Sequence, residues 1–209
     1  MGEKIYALKK EDFNTFMAAP IACKLNLLEE LVWSKCAIIT TMLVSVDRDE
    51  VENNPDFKQL IPYVVITDEN FNVLTYTRKG SEKRLVGQKS IGFGGHWKTE
   101  ESFITCFKRE LTEEIGLNLQ YGEYEVLVED IIYSEATPVD SVHMGILLLI
   151  EVYSEEFGNA TYAEDEVRDV KLTSIEDINP DELETWSKIA YEKLLIKKKF
   201  DDAYWELIK

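Results

Sequence analysis

Five ionisable residues, Glu101, Arg109, Glu110, Glu113 and Glu114, lie in the stretch GHWKTEESFITCFKRELTEEIGL, which runs from Gly95 to Leu117. Glu110, Glu113 and Glu114 stand at i+3 and i+4 steps, so on a helix their carboxylates leave from one face. Clustered carboxylates repel and raise one another's pKa values, and a hard divalent cation is the simplest way to keep them ionised. Magnesium suits that role. It favours oxygen ligands and commonly binds through one or two carboxylates together with substrate phosphates and water; manganese can substitute. The chemistry that such a trio offers is metal-assisted attack on a phosphate. The plain alternative is a solvated acidic helix face.

Positioning those groups takes a helix with defined ends. Ile104, Phe107, Leu111 and Ile115 recur at three- and four-residue steps, which predicts a helix over about 101–115 with one buried stripe. Gly116 stands just past the last periodic residue, where glycine can take the left-handed conformation that closes a helix. Thr99, followed by acidic residues, is the start signal. Upstream, SIGFGGH (90–96) reads as a strand end and a tight turn, with Gly94 and Gly95 allowing close backbone approach.

The segment resembles the Nudix box: Gly, five residues, Glu, seven residues, then Arg-Glu-apolar-any-Glu-Glu-any-Gly-apolar. It matches at Gly95, Glu101, Arg109, Glu110, Leu111, Glu113, Glu114, Gly116 and Leu117. Seven fixed letters at ordinary residue usage match a given window by accident with odds on the order of 10⁻⁸, so the solvated-face alternative recedes. The resemblance implies an α/β class chain, a Nudix-type α/β/α sandwich with a mixed β-sheet. It also implies a Mg²⁺-dependent hydrolase (Mn²⁺ as substitute) that cleaves a diphosphate linkage by attack of a metal-activated water. On this pattern Glu110, Glu113 and Glu114 are metal ligands, and the carbonyl of Gly95 or its neighbour completes the site. Glu101 and Arg109 form a supporting ion pair, although Arg109 can equally pair with Glu113 four residues on. Glu113 is the first choice for the base. In some family members a Glu on a later loop serves instead; here that loop is 162–168, with Glu166 as occupant and Glu164 behind it, unless AEDEVRD is only a solvated acidic loop.

The stretch RDEVENNPDFKQLIPYVV and the glycine turn also resemble a bacterial Nudix subgroup of phosphoesterases known by chemistry and not by substrate. Two other activities belong to the same fold. Isoprenyl-diphosphate isomerisation relies on a pocket Cys and Glu, whereas Cys106 falls inside the box helix. A non-catalytic ligand-binding module would be expected to have eroded carboxylates, and these are intact.

Further residues have two readings each. Arg78, Arg84 and Lys89 are near enough in sequence to reach a substrate phosphate, or form a solvent-facing basic loop. His96 adjoins the glycine turn and either touches phosphate or makes a local hydrogen bond; His143 opens an apolar strand and reads as a core residue. Trp97 and Tyr133 either stack on a base or pack.

Residues 1–58 read as an N-terminal extension packed on a Nudix hydrolase domain, 59–209. The extension carries helical stretches near 11–17 and 25–33 and a mixed segment at 37–46, and serves as a cap or a homodimer surface. Strands are predicted in IPYVVITD and FNVLTYTR around a turn at 68–70, in EYEVLVEDIIYSE, in SVHMGILLLIEVY and at 169–172, with a helical tail from 181. The net charge of −17 speaks against nucleic-acid binding, which needs clustered Lys and Arg, so the expected partner is a small-molecule diphosphate. Cys23, Cys36 and Cys106 form no close pair, no apolar run is long enough to span a bilayer, and MGEKIYALKK has no signal-peptide core. The expectation is a cytoplasmic protein without membrane contact.

Overall fold

A computed structural model describes residues 2–19, 42–79, 86–120, 122–153 and 167–207. The chain divides into two units: Met1–Tyr63, Gly94–Phe107 and Glu129–Ile146 form the first, and Val64–Phe93, Lys108–Val128 and Leu147–Lys209 the second.

In the first unit, strand β1 (Lys4–Lys9) pairs antiparallel with β2 (Leu43–Asp47), with Ile5 opposite Val46 and Ala7 opposite Val44. Its other edge pairs with the start of β3 (Phe57–Thr67), Ala7 opposite Gln59. The sequence reading found no strand in KIYALK. With Ile5, Ala7 and Leu8 all buried, the run lacks the strict alternation of a half-exposed strand, and it is too short for a buried strand to stand out. Helix α1 (Lys10–Ala18) follows directly and matches the expected helical stretch; it buries Phe13 and Phe16 and has Glu11 and Asp12 in its first turn, where the helix dipole favours acids. The predicted helix near 25–33 lies outside the described residues, and only the end of the 37–46 segment is described, as part of β2.

Lys58 is buried. Its Nζ donates to the Ser141 carbonyl at 2.6 Å, lies 3.6 Å from Glu135 Oε1 and sits over the Phe13 ring at 5.2 Å. A buried ammonium needs such partners, and these tie the segment before strand β8 (His143–Val152) to β3 and α1. The approach to the box is held equally firmly. Tyr6 N–H donates to the Trp97 carbonyl at 2.8 Å, Trp97 N–H to Leu60 O at 3.1 Å, and Thr99 N–H to Lys4 O at 3.1 Å.

In the second unit the predicted hairpin is present: β4 (Asn72–Arg78) runs antiparallel to β3, Val73 opposite Thr67. Asp68 Oδ1 closes the turn by accepting N–H groups from Asn70 at 2.9 Å and Asn72 at 2.8 Å. The glycine-turn approach is two short strands, β5 (Lys89–Ser90) on β4 and β6 (Gly92–Phe93) on β3. Strand β7 (Tyr124–Ile132) pairs with β8, and β8 also with β3; apart from Glu151 β8 is buried throughout, as a strand covered on both faces must be. Strand β9 (Val167–Ser174) pairs with β4 and is longer than predicted; a register shift lies opposite Thr75 and Thr77, next to Asp169 with φ 56°.

The tail forms helix α3 (Thr185–Leu207). Glu184 caps it, accepting N–H groups from Trp186 at 2.7 Å and Ser187 at 2.8 Å. Ser187 Oγ in turn accepts Ile91 N–H at 3.0 Å, fastening β5 and β6 to the start of the helix. The pairings with stated register are antiparallel, with a parallel bridge between Lys89 and Leu183, and the class is α/β with a mixed sheet and helices. Among the described residues no helix is long and apolar enough to cross a membrane.

Gly94 tests the packing of the turn. A Cβ at this position would lie 1.8 Å from the Pro62 carbonyl oxygen, which belongs to backbone and cannot swing aside. Gly94→Ala is expected to cost at least about 2 kcal/mol of stability, seen as a lower urea midpoint. A midpoint equal to that of the wild type would contradict this close approach.

Candidate metal and phosphate site

The box helix, α2, spans Phe103–Ile115. It starts later than expected because the cap is Ser102 and not Thr99: Ser102 Oγ accepts Thr105 N–H at 3.1 Å, while Thr99 N–H is used by Lys4. Its buried face is Phe103, Cys106, Phe107, Glu110, Leu111 and Ile115. Ile104, predicted for the stripe, is only half-buried. At about 3.6 residues per turn the face that begins at Phe103 passes through 106–107 and 110–111, which puts Ile104 at its margin. The helix ends as predicted: Gly116 has φ 64°, its N–H donates to Thr112 O at 3.0 Å, and Leu117 N–H donates to Leu111 O at 3.2 Å.

The same rotation takes Glu110 inward, to 9% exposure. Arg109 Nη1 holds its Oε1 at 2.5 Å and also reaches Glu113 Oε2 at 3.1 Å. Arg109 therefore joins two of the three candidate ligands. Glu113 has the most exposed side chain of that group at 59%, whereas Glu114 is half-buried and its Oε2 is closed to solvent. Among the described residues no three His, Cys, Asp or Glu side chains already converge on one ion position. The donors nevertheless fit magnesium, since they are all carboxylate oxygens and that ion needs only one or two from protein.

Glu114 has a neighbour that the sequence reading missed. Burial pushes the Tyr76 phenol above its ordinary pKa, with the Arg78 charge opposing and those of Glu114 and Glu184 adding to the rise. Tyr76 donates to the Gly92 carbonyl at 2.7 Å and accepts from Arg78 Nη1 at 3.1 Å. Arg78, read as a phosphate group, is thus engaged by the tyrosine two residues before it. Both side chains leave one face of β4, a signal present in the Tyr76-Thr77-Arg78 alternation.

The remaining predicted residues fall in several places. Gly95 is half-buried in the turn of the first unit. Glu101 accepts Lys98 N–H at its Oε1, 3.1 Å, and its carbonyl accepts Trp97 Nε1–H at 3.0 Å. Trp97 is buried and packs edge-on against Tyr6 and Phe103, with ring centroids 4.8 and 5.4 Å apart; Tyr133 packs on Phe13 at 5.3 Å. Lys89 pairs with Glu182 at 2.5 Å. Cys106 is buried, its Sγ 3.6 Å from the His96 carbonyl. Arg84, Glu164 and Glu166 lie outside the described residues.

His96 and His143 meet through their Nε2 atoms at 3.2 Å. His143 Nδ1 lies 2.7 Å from the Val139 carbonyl, which can only accept, so that nitrogen carries the proton. In the neutral ring its Nε2 is then the acceptor for His96 Nε2–H. Burial holds both imidazoles below the ordinary histidine value, His96 at about 3 with the Arg48 charge and His143 adding to the fall.

A family model described as the NUDIX domain matches residues 58–194. The chain belongs to the Nudix family. Its members are generally Mg²⁺- or Mn²⁺-dependent pyrophosphohydrolases. Protein YmaB of Bacillus subtilis (strain 168) is 33% identical over 160 residues, covering 70% of this chain and 76% of that protein. The crystal structure of Tm1382, a protein assigned to the Nudix hydrolases, superposes with a TM-score of 0.68 at 26% identity, covering 92% of this chain and 98% of Tm1382. The MutT protein from Methanosarcina mazei Go1 shares the fold at a TM-score of 0.51 and 16% identity, covering 68% of this chain and 96% of its own. The α/β fold expected from the Nudix box is therefore the one observed.

The lowered pKa of His96 sets a direction for stability against pH. The unfolded chain takes up a proton as pH falls through about 6.5, and the folded chain does so only near 3, so stability is full above that range and falls with pH inside it. Between pH 7 and pH 5, where carboxylates of ordinary pKa stay mostly ionised, the loss should be about 1–2 kcal/mol. Urea midpoints at the two pH values check this, and His96→Asn should flatten the slope. An equal slope in that variant would contradict it.

Proposed function

We propose that this Nudix protein is a Mg²⁺-dependent hydrolase that cleaves the diphosphate linkage of a small molecule, a nucleoside diphosphate derivative or a related compound. The observation that carries the reading is the complete box on one capped helix, with Arg109 reaching both Glu110 and Glu113. Glu110, Glu113 and Glu114 would hold the cation. When bound, Mg²⁺ would supply Lewis-acid activation of the attacking water and neutralise charge on the departing phosphate.

The protein's own part is proton transfer and positioning. Glu113 is the exposed carboxylate of the trio, and Arg109 takes its Oε2, leaving the other oxygen to accept a proton from water. The water oxygen bonds to one phosphorus, the bridging P–O bond breaks, and the bridging oxygen leaves with the second phosphate. Arg109 keeps the Glu113 carboxylate from swinging away, at the i,i+4 spacing that helices favour. Glu166 is the rival base, by resemblance.

The test is release of phosphate or pyrophosphate from a panel of nucleoside diphosphate derivatives with Mg²⁺ or Mn²⁺. The wild type is run beside Glu113→Gln and Glu166→Gln. Turnover of some compound should fall by on the order of 10²–10⁴ in the variant that removes the base. Loss confined to Glu166→Gln would move the base to the loop, and no turnover of any compound by folded wild type would overturn the hydrolase reading.

A further inference from the structure

Strand β4 ends on a row of side chains that leave one face: Leu74 and Tyr76, both buried, and Arg78, half-buried at the last position. The Tyr76 ring stacks on Phe93, with centroids 4.6 Å apart and 20° between the planes, and its hydroxyl donates to the Gly92 carbonyl at 2.7 Å. A phenol has one proton to give, and a guanidinium can only donate, so the Tyr76 oxygen accepts from Arg78 Nη1 at 3.1 Å. The order Arg78 to Tyr76 to Gly92 O is therefore fixed by chemistry. Burial holds the phenol above its ordinary pKa, so this order persists through neutral pH.

The Arg78 backbone is held as well. Its N–H donates to Gln88 O at 2.9 Å, and its carbonyl accepts Gly87 N–H at 2.8 Å. A side chain fixed at its root and at its tip loses little freedom when it grips a ligand.

The surroundings of Arg78 indicate what that ligand is. Through Tyr76 it is tied to Gly92, on the strand that enters the glycine turn, and in the ladder it stands opposite Val167, the residue that follows Glu166 in the chain. The charge of Glu114, a box carboxylate, also reaches the Tyr76 hydroxyl. In a chain of net charge −17 an anionic substrate needs a cation placed locally. Lys89 is answered by the Glu182 carboxylate, whereas the phenol oxygen of Tyr76 orients a guanidinium without cancelling its charge. The planar fork of an arginine held in this way matches the oxygens of a phosphate.

We propose that Tyr76 is a positioning residue that aims the Arg78 guanidinium at a phosphate of the diphosphate substrate. This rests on the hydrolase reading above and concerns the grip on the substrate, not the cleavage of its bond.

Titration calorimetry of the full chain with Mg²⁺ and methylenediphosphonate, a diphosphate analogue whose P–C–P link water does not cleave, tests it. Arg78→Ala should weaken binding at least about tenfold, and Tyr76→Phe about three- to tenfold. In the Arg78→Ala background Tyr76→Phe should weaken it no further, since the contact it removes is already gone. A merely structural tyrosine would give the same loss in both backgrounds. Tyr76→Phe keeps the ring on Phe93, and Ser90 Oγ, 3.2 Å from Gly92 O, still serves that carbonyl, so the variant should fold, as urea unfolding will show. With a compound that the wild type turns over, Tyr76→Phe should raise KM by the same factor and leave kcat within about twofold. Wild-type affinity in Tyr76→Phe would overturn the proposal, as would an equal loss in the Arg78→Ala background or a wild type that does not bind the analogue. Mg²⁺-dependent turnover of any panel compound would in each of these cases leave the hydrolase reading standing.

Discussion

Placing a carboxylate inside a protein costs several kcal/mol unless a partner of opposite charge comes with it. Glu110 lies on the buried face of α2 between Phe107 and Leu111, and Arg109, the residue before it, supplies the countercharge at 2.5 Å. The rotation itself is set by the apolar residues of the same face, Phe103, Cys106, Phe107, Leu111 and Ile115, and the ion pair makes the burial of Glu110 tolerable. If α2 rotated to bury Ile104 fully, Phe103 and Glu110 would move toward solvent. With the rotation fixed, Glu113 comes to the exposed side and Glu114 to an intermediate position beneath it. One residue of each kind results: a carboxylate kept inside, one outside and one between.

Both ends of α2 protect this setting. Ser102 satisfies an amide of the first turn, and Gly116 with φ 64° lets the chain leave the last turn at once. The incoming chain is pinned by Trp97, buried against Tyr6 and Phe103, and by hydrogen bonds to β1 and β3. β1 belongs to the stretch that reads as an extension in the sequence, yet it is a direct support of the segment that leads into the box.

The box helix was legible because its periodicity and its closing glycine are local signals. The errors there are small and share a cause. Thr99 and Ser102 are both acceptable caps by type, and only the structure shows that it is Ser102 Oγ that accepts an N–H of the first turn, from Thr105. Ile104 and Phe103 are both apolar, and the packing of Phe103 on Trp97, a contact the sequence does not show, decides between them. The β3–β4 hairpin was legible from its Asp68 turn. Strand β1 was not, because its pairing with β2 and β3 is long-range and its apolar run is short. The coupling of Tyr76 to Glu114 and the pairing of His96 with His143 were also hidden, since each joins residues far apart in sequence. Substrate identity is absent from the box itself, because specificity in such folds comes from residues outside the shared motif.

The most direct measurement is a manganese(II) titration of the folded chain, followed by the electron paramagnetic resonance signal of free ion. The comparison is wild type, Glu110→Gln, and Glu50→Gln, which removes a carboxylate on the helical turn Arg48–Val51, outside the box. The expected result is binding by wild type and by Glu50→Gln, with affinity at least tenfold lower in Glu110→Gln. Equal binding by all three would contradict the assignment of the box carboxylates as the metal site.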